Sequence, residues 1–425
     1  MTNNNSNHAP NSLFRYQLLL WAAAIPIVCY TLWQALRFRE FRYLRQRLGF
    51  GYRTPAQPAI WLHAASVGEV LAAEPLIKAL DKNYPDTTIV VTTVTPTGAE
   101  MVRQRFAGQI KHIYLPVDWR SAVQRFLKLV KPRLALIMET ELWPNLYDTC
   151  ARLNNPLLII NARVSSKTLN THGWIRDLYH NTLSHVTGVL ARSQPDADGF
   201  VNLGASLNIV RVIGNIKFSA AKPVTDIKPI KLPRPLVLAA STHEDEEFQL
   251  ASMWLAMQPR DELLVIAPRH PNRSSSIIKQ LNSLSVKFAV RSRNDSIHKT
   301  TQVYLADTLG ELTGFMASAE LVVMGGSFVP VGGHNILEPA MLGKAMLFGP
   351  HMQNFAEETE GLLEQQAGIQ VDDYQQLQYQ IDELLQDKAK RQLLGERAEI
   401  FMQQNSGILD RYISEIKTCY QPPDE

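Results

Sequence analysis

From residue 60 onward, short apolar runs alternate with stretches whose apolar positions recur at helical spacing, the pattern of strands joined by crossover helices. The first half offers strands over 60–63, 88–93, 113–115, 134–138, 157–161, 189–191 and 210–213, with helices such as 69–80 and 122–130 between them. A second series follows over 236–240, 263–267, 286–290, 303–305, 321–324, 345–348 and 369–371, and 374–416 is helical by pattern. Runs joined by crossover helices make parallel sheets, so the first half reads as a parallel sheet covered on both faces and the second as a similar half. Residues 219–235, with four prolines and three lysines, cannot settle into helix and read as a linker. The expected division is 1–50, a domain 51–218, the linker 219–235 and a second domain 236–425 that keeps the C-terminal helices. Two doubly wound α/β domains facing each other would leave a cleft at the C-terminal ends of their strands, where open α/β sheets bind ligands.

Ahead of the first strand, residues 16–36 form a stretch of 21 without a charge, long enough to cross a bilayer as one helix. Arg37, Arg39, Arg42, Arg45 and Arg47 follow it and only Arg15 precedes it, which places the C-terminal bulk in the cytoplasm. The charge lies on the wrong side for a signal peptide, and no small-x-small cleavage site follows. Gln17, Pro26 and Gln34 count against a span and leave a helix in the interface or in the core as alternatives.

Composition narrows the picture further. A chain of 425 residues, 45% hydrophobic and 20% charged, is ordinary for a folded α/β protein. Its formal charge of +3 is concentrated in 37–53, where six arginines face one Glu40; the remainder is slightly negative, which argues against a nucleic-acid surface. Cys29, Cys150 and Cys419 lie far apart with no C-x-x-C pair, so a disulfide framework or structural zinc is not expected.

The candidate chemistry sits just after predicted strands. Gly325–Pro339, GGSFVPVGGHNILEP, lets the backbone approach a ligand, and a helix over 335–342 would offer N–H groups to a phosphate. HAASVGEV carries Glu69 in a first helical turn, either as a general base or as a carboxylate that offsets the helix dipole. ETELWPN carries Glu139 and Glu141; alternatively Glu141 caps the next helix and Trp143 is core. GNIKF puts Lys217 at the interdomain crossing, as a phosphate or carboxylate partner or a solvated lysine. In STHEDEE, Ser241 or Thr242 could cap a helix, and in PRHPNR Arg269 offers a bidentate fork for phosphate. His243 and His270 sit at no metal-ligand spacing, so no metal is expected. DTLGEL would bring the backbone of Gly310, Glu311 and Leu312 to a helix start suited to reading a base edge, and Glu338 suits ribose hydroxyls. There is neither a G-x-x-x-x-G-K-[ST] P-loop nor a G-x-S-x-G elbow.

With WLHAASVGEV, ETELWPN, NARVSSK, GNIKF, STHEDEE, APRHP, DTLGEL, GGSFVPVGGHNILEP and FGPHMQNF in order, the chain resembles the Kdo (3-deoxy-D-manno-octulosonic acid) transferase family of lipopolysaccharide assembly. The resemblance covers nearly the whole chain. It implies a GT-B fold, CMP-Kdo as donor, a lipid A precursor as acceptor, inversion at the anomeric carbon, no metal or other cofactor, and attachment to the cell inner membrane. It further implies Glu69 as the general base, Glu139 and Lys217 as stabilisers of the transition state, and CMP held by Pro268, Arg269, Gly310, Glu311, Leu312, Asn335, Ile336, Leu337 and Glu338. The sequence departs from the family where Asp245 replaces a usual Gly, and over 167–174, which bears on acceptor binding. The alternatives are a GT-B transferase of a UDP-sugar and a membrane-tethered binding protein without turnover.

Overall fold

The computed structural model describes residues 9–220, 227–257 and 259–420. The chain divides into two compact units, one of residues 1–220 with 407–425 and the other of residues 221–406.

The first unit is built on β1 (Ala59–His63), β2 (Thr88–Thr93), β3 (Lys111–Tyr114), β4 (Pro132–Met138), β5 (Leu157–Ala162), β6 (Gly188–Ala191) and β7 (Val210–Val212). The second is built on β8 (Leu236–Thr242), β9 (Leu263–Pro268), β10 (Phe288–Val290), β11 (Val303–Leu305), β12 (Leu321–Met324), β13 (Met346–Phe348) and β14 (Ile369–Gln370). All fourteen coincide with the apolar runs. Their orders are β3-β2-β1-β4-β5-β6-β7 and β10-β11-β9-β8-β12-β13-β14, every neighbouring pair parallel. β1 and β8 are each the first strand of their sheet and lie inside it. Residues of β1 are buried on both faces: Trp61 packs against Phe126 at 5.0 Å, edge to face, while Ile60 and Leu62 are buried on the other side. Trp254 anchors the corresponding core of the second unit beside Leu250, Ile277 and Leu281.

The helix expected over 69–80 runs Val67–Asn83, and that over 122–130 runs Arg120–Val130. The pattern over 374–416 resolves into Tyr374–Gln386, Lys388–Gln404 and Ile408–Cys419. The last of these corrects the expected domain 236–425, because it packs on the first unit. Tyr412 Oη accepts the Asn161 N–H at 3.1 Å and donates to the Gly214 carbonyl at 3.0 Å, and Arg211 pairs with Glu415 at 2.9 Å. Gly407, at φ +66°, turns the chain between the two helices. Helical period shows which face is apolar, not which body it covers. Part of the expected linker, 221–226, lies outside the described residues; 227–235 runs without helix or strand.

The single span expected over 16–36 is also corrected. The segment breaks into helices Ala9–Ala22 and Ala24–Arg37, bent by 56°, and among the described residues no single helix is long and apolar enough to cross a membrane, although the pair qualifies together on length and composition. Pro26 has no N–H to offer the Ala22 carbonyl, so the ladder cannot run through the junction. The first helix is tied to the unit by polar bonds. Tyr16 Oη donates to Asp118 Oδ2 at 2.9 Å, and Gln17 Nε2 to Asn145 Oδ1 at 3.0 Å. Asp118 in turn accepts the N–H groups of Asn145 at 3.0 Å and Leu146 at 2.9 Å, capping helix Pro144–Arg152 from outside its own segment. Phe14, Leu18, Leu19, Trp21, Ile25 and Trp33 remain exposed.

The structure also gives physical content to the departure at position 245. Asp245 precedes helix Glu246–Ala256 with φ +79° and ψ −37°, a region that a residue with a Cβ adopts under strain, and its side chain makes no capping bond. Asp245→Gly is expected to stabilise the protein by about 1 kcal/mol, the relieved strain exceeding the entropy Gly adds to the unfolded chain. The midpoint of thermal unfolding should rise by about 2–4 °C; a fall would contradict the assigned backbone.

Candidate active site

In the first sheet the strand order reverses between β1 and β4, so the loops leaving their C-terminal ends diverge and open a crevice. Both carboxylate motifs emerge there. Ser66 caps helix Val67–Asn83: its Oγ accepts the Glu69 N–H at 3.3 Å and donates to Glu69 Oε1 at 2.9 Å, while Glu69 Oε2 accepts the Ala65 N–H at 2.8 Å. This is a capping box closed by a side chain that is only 9% exposed. Burial pushes the Glu69 carboxyl up to about 7, the Ala65 N–H opposes that rise, and the charges of Glu141 and Glu139 add to it. The helix-start role considered from sequence is thus real, yet the same carboxyl is half-protonated near neutral pH, where a base works best.

Glu139 sits where β4 ends, at φ +57°, with its N–H bonded to the Ile160 carbonyl at 3.0 Å; a side chain held in the left-handed region redirects the chain out of the sheet. Glu141 accepts the Trp143 Nε1–H at 2.9 Å, and burial together with the Glu139 charge holds its carboxyl above the usual range. It does not cap the next helix; Asp118 does. Trp143 packs partly buried against the core. His63, at the end of β1, is fully buried, and its desolvation lowers it to about 3, so the ring is neutral. Thr92 Oγ1 accepts the Trp61 Nε1–H at 2.8 Å and lies 2.8 Å from His63 Nδ1. Nδ1 also lies 3.2 Å from the Thr92 carbonyl, which can only accept, so the imidazole proton is assigned to Nδ1; Nε2 has no hydrogen-bond partner among the described residues and lies 4.0 Å from Glu141 Oε2.

Lys217 lies in the short turn Ile216–Ala220, which packs on the helix that carries Glu69. Asn161 Oδ1 accepts the Ile216 N–H at 3.0 Å, and Asn215 Oδ1 accepts the Lys217 N–H at 3.1 Å. Glu69, Glu139, Glu141, His63 and the turn bearing Lys217 are therefore all features of the first unit.

The second sheet repeats the reversal between β8 and β12. Gly325 passes so close to Thr242 that a Cβ there would lie 2.6 Å from the Thr242 Cα, which is why the run needs glycine at this position. Sequence reasoning missed the residue that organises the crevice. Glu246 is fully buried and accepts the N–H groups of His243 at 2.8 Å, Gly326 at 2.7 Å and Phe328 at 3.0 Å, binding the two loops together. Glu247, also fully buried, accepts Thr242 Oγ1–H at 3.0 Å and pairs with Arg273 at 2.8 and 3.2 Å. Neither Ser241 nor Thr242 caps the helix as expected; the spacing of two adjacent carboxylates after a strand was the available signal.

The expected nucleotide contacts fall on loops at the C-terminal edge of this sheet. Pro268 is buried at the end of β9, and Arg269 is exposed beyond it with its N–H on the Thr242 carbonyl at 2.9 Å. Gly310, at φ +82°, and Glu311 precede helix Leu312–Ser318 as expected, but the Glu311 carboxylate is occupied by Arg291 at 2.7 and 3.0 Å, leaving backbone groups to a ligand. The helix expected over 335–342 is only Leu337–Met341. Asn335 Oδ1 accepts the Leu337 N–H at 3.1 Å and Asn335 Nδ2 donates to Glu338 Oε1 at 3.2 Å, so that helix start is already capped from within. Ile336 and Leu337 are buried and can offer only main-chain atoms. Among the described residues, no group of three or more His, Cys, Asp or Glu is arranged to hold a metal ion.

Comparison with known proteins decides the family. A profile described as 3-deoxy-D-manno-octulosonic-acid transferase (kdotransferase) matches residues 42–220. The 3-deoxy-D-manno-octulosonic acid transferase of Haemophilus influenzae is 33% identical over 417 residues, which cover 95% of this chain and 98% of that protein. This chain belongs to the Kdo transferase family. The C-terminal CMP-Kdo binding domain of WaaA from Acinetobacter baumannii is also 33% identical, covering 40% of this chain and 90% of that one with a TM-score of 0.39. The UDP-GlcNAc 2-epimerase of Neisseria meningitidis, bound to UDP-GlcNAc, is 15% identical and shares the fold, with a TM-score of 0.50 over 85% of this chain and 100% of that one.

For this Kdo transferase family member, the acidic crevice of the first unit makes a specific electrostatic prediction. Glu141→Gln removes a negative charge that opposes ionisation of Glu69. The Glu69 carboxyl, followed by carbon-13 NMR against pH, should titrate near 7 in the wild type and at lower pH in the variant. An unchanged midpoint would show that the two carboxylates do not sense each other.

Proposed function

We propose that this protein transfers Kdo from CMP-Kdo to a hydroxyl of a lipid A precursor, releasing CMP with inversion at the anomeric carbon. Kinship over 95% of the chain supports the reaction class, and the observation that carries the mechanism is Glu69, held by a capping box and pushed up to about 7. In its ionised form Glu69 takes the proton of the acceptor hydroxyl as that oxygen attacks the anomeric carbon; the bond from that carbon to the phosphate oxygen breaks and its electron pair leaves with CMP. Glu139 stabilises positive charge growing on the sugar ring, and Lys217 the negative charge on the departing phosphate or the sugar carboxylate. Arg269 serves as a phosphate donor, the backbone of 310–312 reads the base, and Asn335 to Glu338 with Pro268 complete the nucleotide contacts. This route invokes no metal.

The acceptor reading brings the membrane with it. Exposed Phe14, Leu18, Leu19, Trp21, Ile25 and Trp33 on the bent helix pair, followed by exposed Arg37, Arg39 and Arg45, suit attachment to the cytoplasmic face of the inner membrane. Attachment there raises the effective concentration of a lipid acceptor. Arg42 and Arg47 are less available, since they bond the His112 and Leu115 carbonyls at 2.6 and 2.7 Å.

The test is to incubate purified protein with CMP-Kdo and tetra-acylated lipid A precursor and to weigh the product by mass spectrometry. Glu69→Gln, which keeps an acceptor for the Ala65 N–H, should lower turnover at least about a hundredfold while CMP affinity stays unchanged. Because the base must be ionised, kcat/KM of the wild type should rise with pH through about 7 and level off above it. Undiminished transfer by the variant, or preference for a UDP-sugar, would defeat the reading.

A further inference from the structure

The steps above leave unused a cluster of imidazoles at the reversal point of the second sheet. His243 leaves the end of β8 and His334 lies in the glycine-rich run after β12; their Nε2 atoms are 2.8 Å apart and their rings meet edge to edge, with centroids at 5.0 Å and planes within 14°. His270, beyond β9, stands edge-on to His243 at 5.9 Å. The glycine-rich loop presses on the pair, since a Cβ on Gly326 would come within 2.8 Å of His334 Cδ2. Only one hydrogen fits between two facing nitrogens, so one Nε2 donates and the other accepts. A further proton therefore enters at an outer Nδ1, which leaves the shared bond intact and gives the cation two Nδ1–H donors.

The surroundings hold that proton off. Arg269, His270 and Arg273 face the pair from the loop after β9; of the carboxylates on helix Glu246–Ala256, Glu247 is taken by Arg273 and Glu246 by three backbone N–H groups. Partial burial, then these positive neighbours, lower His334 to about 4 and move His243 down as well. Arg269 has no ion-pair partner among the described residues, so one unpaired guanidinium stands beside a neutral imidazole pair.

We infer that His243 and His334 form a proton-accepting clamp for the phosphate of the bound nucleoside monophosphate unit. The inference rests on the CMP-sugar reading above. An arriving phosphate adds negative charge beside the imidazoles, favours the protonated pair and receives its Nδ1–H donors, so binding takes up a proton. Affinity consequently strengthens as pH falls, provided the phosphate of CMP itself stays fully ionised, which holds above about pH 7 because its second pKa is about 6.

Calorimetric titration of the full-length protein with CMP, in buffers of different ionisation enthalpy near neutral pH on the alkaline side, reads the proton count directly. The wild type should take up a fraction of a proton with CMP and none with cytidine, which lacks the phosphate. His334→Gln and His243→Gln each keep a neutral amide at the site; both should abolish the uptake and weaken CMP about tenfold while cytidine binding and the unfolding midpoint stay unchanged. Wild-type affinity and proton uptake in both variants would overturn the clamp alone, as would equal weakening of cytidine. Absence of CMP binding by the wild type would overturn the donor reading and the clamp with it.

Discussion

Parallel pairing of every strand is the constraint on which the rest of the structure depends. Strands that run the same way discharge all their following loops at one edge, and the first strand of each unit lies inside its sheet, with later strands added on both sides. The loops after β1 and β4, and those after β8 and β12, must then part from each other. Glu69 and Glu139, seventy residues apart in sequence, become neighbours for that reason, as do His243 and His334.

Buried carboxylates hold these loops. Glu246 accepts three main-chain N–H groups, Asp118 two together with the Tyr16 hydroxyl, and Glu69 one N–H and one hydroxyl. Each loses hydration and recovers part of it in hydrogen bonds, and for each the loss is the larger effect, so all three sit above the usual carboxylate range. What sets Glu69 apart is its company. Glu139 and Glu141 share its crevice and raise it further, whereas Asp118 is enclosed by donors alone. The same physics therefore pushes both carboxyls up to about 7, one clasping a loop among donors and the other sharing its crevice with two more carboxylates.

The N-terminal helices show a similar division of labour. One side is fastened by Tyr16 and Gln17, and the Asp118 that receives Tyr16 also caps the helix that follows ETELWPN. The other side leaves large apolar residues uncovered. Attachment of the chain's start and the position of the acidic loop thus pass through one buried carboxylate.

The elements themselves were legible in the chain. Short apolar runs separated by amphipathic stretches must form strands joined by crossover helices, so all fourteen strands and the parallel character of both sheets could be read from residue pattern, and the motifs after them fall on the loops that leave the strands. The strain at position 245 is not legible in the sequence, because a residue letter does not reveal its φ angle. The unit that helix Ile408–Cys419 joins is not legible either, because helical period says which side is apolar and not what it will touch. The break at Ala23, the carboxylates that clasp the loops, the protonation of Glu69 and the imidazole pair depend on distances between residues tens of positions apart. Those distances, and the dehydration that accompanies them, exist only once the chain is packed.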